Sequence, residues 1–188
     1  VRIGVISDTH GQLHPRVFDV FHGVDHILHA GDIGAEDVLL ELRAIAPVTA
    51  VAGNIDGFQL ADAGLHARVE LGGARFFLTH ILDRPRKPLP EVVRTLRREP
   101  ADFVIFGHSH LPHDEELGSV RFFNPASAGP RRFDYPCAVG LLEKRGATWS
   151  ARHIGLDERS VEVLASGKHV NQLSRGALDA PDLYGKRH

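Results

Sequence analysis

The chain has 188 residues and a mass of 20.6 kDa, enough for one domain that buries roughly 70% of the surface its unfolded form exposes. With 43% hydrophobic and 24% charged residues it is neither disordered nor collagen-like, and a formal charge of −2 excludes a general nucleic-acid packaging role. No apolar stretch approaches the roughly 20 residues that cross a bilayer, and no secretory signal pattern opens the chain, so a cytoplasmic protein with no membrane partner is expected.

Residues 1–7 form a β-rich apolar run that stops at the polar cluster Asp8-Thr9-His10-Gly11, which predicts a strand and then a loop. Pro15 suits the first turn of a helix, and Val17, Val20 and Phe21 recur along one face of it. Residues 24–30 are the next strand, ending at Gly31-Asp32. Val38, Leu39, Leu42 and Ile45 then mark a second amphipathic helix, closed by Pro47. A third strand, residues 47–52, runs into Gly53-Asn54-Ile55-Asp56-Gly57.

After this β-α-β-α-β opening the rhythm changes. Residues 67–71 and 74–78 flank Gly72-Gly73, a two-residue link suited to a tight hairpin. A proline-rich basic link, 83–90, precedes a helix with Leu89, Val92, Val93 and Leu96 on one side, and residues 101–106 form another apolar strand. From Val120 onward, segments 121–123, 138–142 and 148–153 predict further antiparallel sheet. The pattern is a mixed α/β domain, parallel first and antiparallel later. It is expected to occupy residues 1–157. Residues 158–188, with a short helix near 160–165 and no sustained period after 167, read as a tail or packed appendage.

The single Cys137 cannot form an intramolecular disulfide or alone support a thiolate metal site, so any metal must be held by nitrogen and oxygen. The chain has 13 histidines, and the placement of several is informative. Five predicted strands end in residues able to bind a metal: Asp8 and His10, Asp32, Asn54, His80, and His108 with His110. Taken singly, Asp-x-His is commonly a helix cap beside a surface histidine, and Gly-Asp and Gly-Asn are common turns. Repeated at every strand end they predict one pocket, because ligands of open α/β sheets gather beyond the carboxyl ends of the strands. Alternate residues of an extended segment point opposite ways, so His108 and His110 are expected to reach different sides of a metal centre. The arginines and lysine at 84, 86, 87, 94, 97 and 98 read mainly as a solvated helix face and link. The alternative is that they attract a phosphate-bearing substrate to the pocket rim; Arg131-Arg132 carries the same two readings, though it follows Asn124 and so could lie nearer the site, and Phe76-Phe77 and Phe122-Phe123 read as strand core.

The ordered set Asp8-Thr9-His10, Gly31-Asp32, Gly53-Asn54, Thr79-His80 and Gly107-His108-Ser109-His110 resembles the calcineurin-like metallophosphoesterase superfamily over about residues 1–155. Gly53-Asn54-Ile55-Asp56 and Asn124-Pro125-Ala126-Ser127 look like its small single-domain phosphodiesterase branch, which also contains a retromer scaffold subunit. The resemblance implies two mixed β-sheets packed face to face with helices on the outer faces, a four-layer α/β/β/α sandwich. It further implies two divalent transition-metal ions, manganese first, with iron, zinc or nickel as alternatives. One would be held by Asp8, His10, Asp32 and His110, the second by Asp32, Asn54, His80 and His108, with Asp32 as the bridge. The implied reaction is hydrolysis of a small phosphate ester by in-line attack of a metal-bridging hydroxide, with these seven residues as the catalytic set. A homo-oligomer is compatible with this reading, and no stable nucleic-acid complex is expected.

Three positions depart from the family pattern. Ile55 stands where the phosphatase branches carry a histidine able to act as general acid, with His14 and His113 nearby in sequence as other proton sources. Ile81 and Ala126 stand where glycine is usual. The competing expectation is a non-catalytic interaction scaffold of the same fold, and retention of all seven ligand-capable residues favours the enzyme. No dinucleotide, P-loop or serine-hydrolase motif is present.

Overall fold

The computed structural model describes residues 1–57, 60 and 63–174. In chain order the first elements are β1 (Arg2–Ile6), α1 (Arg16–Val20), β2 (His26–His29), α2 (Glu36–Arg43) and β3 (Val48–Ala50). The hairpin β4 (His66–Leu71) and β5 (Ala74–Thr79) follows, then a small ribbon of β6 (Asp83–Arg84) and β7 (Lys87–Pro88). Next come α3 (Pro90–Arg98), β8 (Phe103–Ile105), β9 (His113–Leu117) and β10 (Val120–Asn124). The described chain closes with β11 (Ala138–Arg145), β12 (Thr148–Gly155), α4 (Glu158–Ala165) and a 3-10 turn, Gln172–Ser174.

These strands form two five-stranded sheets, ordered β12-β11-β1-β2-β3 and β4-β5-β8-β10-β9. Strand alternation sorts their side chains into three apolar layers. Ile3, Val5 and Leu28 of the first sheet face Phe76, Phe103, Ile105 and Phe123 of the second. On the outer side of the first sheet, Ile6 and Ile27 pack with Val17 and Phe21 of the α1 region and with Val38 and Leu42 of α2. On the outer side of the second, Phe77, Val104 and Phe122 pack with Val92 and Leu96 of α3. The result is the expected four-layer α/β/β/α sandwich. Phe76-Phe77 and Phe122-Phe123 each send one ring to the central layer and one to the outer layer, all four buried.

The Gly72-Gly73 hairpin forms as expected. Leu71 pairs with Ala74, and both glycines have positive φ, 57° and 74°, the geometry whose twist matches the flanking strands. One expectation needs correction, and one strand was not anticipated. Strand β10 pairs parallel to β8, and β8 parallel to β5, so the second half of the chain is not purely antiparallel. The helical crossover α3 returns the chain to the same end of the sheet between β5 and β8. The edge strand β9, with sequence His-Asp-Glu-Glu-Leu, has no apolar alternation to announce it. It is held at the edge by pairing with β10 and by the Arg121 guanidinium, which donates to both Asp114 carboxylate oxygens at 2.7 Å.

Beyond residue 157 the chain returns to the body. Asp157 caps α4 by accepting the Ser160 N–H at 2.7 Å, and the buried Ser160 Oγ accepts the Cys137 N–H at 2.8 Å. Asn171 both accepts from and donates to the Asp114 backbone, at 2.8 and 3.0 Å. The remainder of the expected tail, residues 175–188, lies outside the described residues. Among the described residues, no helix is long and apolar enough to cross a membrane.

Candidate metal centre

The turns after β1, β2, β3, β5 and β8 carry the seven predicted residues and meet at one end of the sandwich. Five of the seven hold left-handed backbone: Asp8 (φ 55°), His10 (50°), Asp32 (52°), His108 (67°) and His110 (58°). Such a conformation costs a side-chain-bearing residue about 1–2 kcal/mol, and strain of this kind collects at functional sites. It also corrects the expectation for His108 and His110. They occupy a sharp left-handed turn rather than an extended segment, yet still diverge: His108 Nδ1 lies 2.9 Å from Asn54 Oδ1, and His110 Nε2 lies 3.1 Å from Asp8 Oδ1.

Acceptor atoms crowd this end with too few donors. Asp8 is fully buried; its Oδ2 accepts the His108 N–H at 3.2 Å, while Oδ1 has no hydrogen-bond partner. His10 and His110 face one another through their Nε2 atoms at 3.3 Å. On the other side, His80 Nδ1 lies 2.8 Å from the Ala30 carbonyl, which can accept only a proton, so in the neutral ring Nε2 carries the lone pair. That lone pair lies 3.1 Å from Asn54 Oδ1 and 3.2 Å from Asp32 Oδ1. An orphaned carboxylate oxygen and converging lone pairs fit a cation. Ligand atoms of Asp8, His10 and His110 lie within 4.8 Å of one another, as do those of Asp8, Asp32 and His80. Asp8 is thus common to both groups, and Asp32 belongs to the second.

Burial alone would raise the Asp32 carboxyl, but the His80 hydrogen bond and charge, with the Ile55 N–H, override it and hold the group at about 2. The carboxylate is therefore anionic across the neutral range. His80 is raised: burial opposes its charge, and Asp32, Asp8 and the Ala30 carbonyl outweigh burial. Metal binding at Nε2 requires the neutral ring, so it competes with protonation.

Several braces were not legible beforehand. The Asp56 carboxylate accepts three backbone N–H groups, from Ile33 (3.0 Å), Gly34 (2.8 Å) and Gly53 (2.8 Å), buckling the turn that carries Asn54 to the turn that carries Asp32. Asn124 donates to the Gly107 carbonyl at 2.9 Å and to Ser109 Oγ at 3.1 Å, bracing the His108–His110 turn. Ser127 Oγ and the Gly129 N–H both donate to the Asp8 carbonyl at 3.0 Å. The motif around Asn124 thus holds ligand turns in place. Its Ala126 adopts φ 76°, which explains why glycine is the easier residue there.

His29 at the end of β2 lies fully buried beneath the site. Its Nδ1 accepts the Gly31 N–H at 3.2 Å, and Nε2–H donates to Thr9 Oγ1 at 3.1 Å, which donates onward to the Ile33 carbonyl at 2.9 Å. Burial, opposed by Asp8 and Asp56, pushes its imidazole down to about 4. Because this lies below the unfolded value of 6.5, its contribution to stability is complete above pH 6.5 and is lost as pH falls toward 4. The metal-free protein is expected to lose about 2–3 kcal/mol from His29 between pH 7 and pH 4.5, with His113 acting in the same direction. Urea unfolding at the two pH values measures it, and an unchanged midpoint would contradict a buried neutral His29.

The other proton-source candidates fall elsewhere. His113 is fully buried in β9, 3.3 Å from Glu115, and burial drives it to about 4 against the pull of Glu115 and Asp114. His14 accepts the Arg16 N–H at 3.2 Å. Neither makes a described contact with the seven residues. Arg86 is taken up by Glu115, and Arg94, Arg97 and Arg98 are exposed, in keeping with a solvated helix face.

The calcineurin-like phosphoesterase superfamily domain matches residues 1–146. A probable metallophosphoesterase of Methanothermobacter thermautotrophicus is 35% identical over 144 residues, covering 74% of this chain and 84% of that one. Phosphodiesterase YfcE of Escherichia coli is 30% identical over 162 residues, covering 73% of this chain and 84% of that one. Among solved structures, a predicted phosphoesterase of Streptococcus pneumoniae aligns with a TM-score of 0.67 at 26% identity, covering 83% of this chain and 90% of that one. A Vps29 variant of Entamoeba histolytica aligns at 0.65 and 20% identity, over 84% of this chain and 100% of that one, a likeness of fold.

Proposed function

This chain belongs to the calcineurin-like phosphoesterase superfamily, and we propose that within it the protein is a two-metal phosphodiesterase of small phosphate esters. The observation that carries the reading is the convergence of buried acceptor atoms with too few protons to share: Asp8 Oδ1 against His110 Nε2, the facing Nε2 atoms of His10 and His110, and His80 Nε2 against Asn54 and Asp32. Asp8, His10 and His110 would hold one ion and Asn54, His80 and His108 the other, with Asp32 shared between them as the family pattern implies and Asp8, common to both groups of ligand atoms, beside it. The donors are nitrogen and oxygen only, which suits manganese first and iron, zinc or nickel as alternatives. Two divalent cations bound there supply positive charge against the phosphoryl oxygens and a water acidic enough to act as nucleophile.

The chain's own residues orient this chemistry. The Ala30 carbonyl fixes the His80 tautomer, which keeps Nε2 turned toward Asp32 and Asn54. The Ile55 N–H donates to Asp32 Oδ1 at 3.1 Å and keeps that carboxylate ionised and oriented. The Ile55 side chain, 48% exposed beside Asn54, has no proton to give a leaving group. The cytoplasm is the compartment this reading assigns, with Cys137 a free buried thiol. A scaffold would need no such donor set, and the likeness to Vps29 extends to fold alone.

The test is elemental analysis of the purified protein, then rates with each metal restored. Because no acid stands at Ile55, an aryl phosphodiester is expected to turn over about tenfold or more faster than the monoester with the same leaving group. A clear monoester preference, or no bound metal and no activity after manganese is added, would overturn the reading.

A further inference from the structure

Adjacent arginines at the rim of the centre are used in opposite ways. The Arg131 guanidinium is engaged: it pairs with the Asp157 carboxylate and lies 3.4 Å from Ser160 Oγ and 3.5 Å from the Tyr135 carbonyl. It ties its loop to the start of α4. The Arg132 backbone carbonyl accepts the Tyr135 N–H at 3.2 Å, while its exposed side chain has no hydrogen bond or ion pair to any described residue. It nevertheless stands beside the metal ligands, lining a narrow cleft with His110 and Tyr135.

A free cation in this place works against the proposed metals until an anion arrives. Asp8 and Asp32 are the carboxylates of the ligand set, and two such groups cannot neutralise two divalent ions. The neighbouring residue is equally uneconomical for the fold. Phe133 holds φ 52° and leaves 84% of its surface exposed, with its ring 5.7 Å from that of Tyr135. A bulky residue in left-handed backbone is strained, and an exposed aromatic ring gains nothing from packing. Both costs are recovered only when something flat and apolar covers the ring.

We propose that Arg132 is a substrate-binding residue that pairs with the phosphate of the bound ester, and that Phe133 stacks on an aromatic group attached to that phosphate. The preferred substrates are therefore phosphodiesters bearing an aryl group or a nucleobase. This rests on the phosphodiesterase reading of the adjoining centre. Arg131 differs from its neighbour in being structural.

The experiment compares metal-loaded wild type with Arg132→Gln, Arg132→Lys, Phe133→Ala and Arg131→Gln, with metal content measured for each. For Arg132→Gln, KM for an aryl phosphodiester is expected to rise about tenfold, well beyond any fall in kcat, and affinity for inorganic phosphate by calorimetry to weaken about tenfold. Arg132→Lys should recover part of both. Phe133→Ala should weaken adenosine monophosphate about tenfold or less while leaving inorganic phosphate unaffected. Arg131→Gln should lower the melting temperature without weakening phosphate. An active Arg132→Gln enzyme with wild-type KM and phosphate affinity would overturn the assignment of Arg132, and equal losses of phosphate and adenosine monophosphate in Phe133→Ala would overturn stacking. If the wild type hydrolyses no ester, the phosphodiesterase reading fails, while phosphate calorimetry on the same variants still decides whether Arg132 binds the anion.

Discussion

Replacing Asp32 with alanine is expected to cut diesterase turnover about a thousandfold or more and to lower bound metal from two ions to one or none. The side chain is 3% exposed, its backbone is left-handed at φ 52°, and its Oδ1 is fixed by the Ile55 N–H at 3.1 Å and lies 3.2 Å from His80 Nε2. Its carboxyl, held at about 2, supplies a full negative charge at any working pH. Alanine removes that charge from the group it forms with Asp8 and His80 and, on the proposed bridging role, from the donor set of both ions. Elemental analysis of the folded variant, with circular dichroism to verify folding, checks the first part, and side-by-side rates check the second. Two retained ions and a near-normal rate would take Asp32 out of the centre.

A Gly53→Ala variant is expected to lose about 3 kcal/mol of stability and roughly tenfold to a hundredfold in metal affinity. Gly53 has no positive φ, so its requirement is steric. A Cβ there would lie 2.1 Å from both the Asp32 backbone nitrogen and Asp32 Oδ1. Neither atom can swing away cheaply, because the first is backbone and the second is held by Ile55. The turns carrying Asn54 and Asp32 would have to separate, and the Asp56 buckle between them would open. Gly57→Ala is the matching control, since a Cβ at that position meets nothing within 4 Å. Urea unfolding and metal titration of the pair decide the matter. Equal stability and metal affinity for Gly53→Ala and wild type would mean the two turns are not packed this closely.

Much of the site was legible because its ligands follow apolar strands, and strands leave a local signature. The runs before Asp8, Asp32, Asn54, His80 and His108 announced themselves by composition, and the ends of parallel strands are where such loops collect. Gly72-Gly73 announced its hairpin for a similarly local reason: only glycine takes two successive positive φ angles without cost. Charged β9 gave no such signal, because its strand character comes from pairing with β10 and from Arg121 rather than from its own alternation. The parallel pairing of β10 with β8 was equally hidden, since direction within a sheet depends on where the chain crosses over.

The sequence by itself determined the opening β-α-β-α-β order, the two-residue hairpin, the core phenylalanines and the set of residues that meet at the candidate centre. It determined them because periodicity, glycine placement and side-chain chemistry act within a few residues along the chain. Only the tertiary structure decided the left-handed turn at His108 and His110, the Asp56 buckle, the neutral-ring tautomer of His80 and the different surroundings of the Arg131 and Arg132 side chains. These depend on hydrogen bonds and charges brought together across long stretches of chain. The Arg131 side chain meets Asp157 while that of Arg132 pairs with no described residue, and adjacent identical residues carry no record of which way each will point.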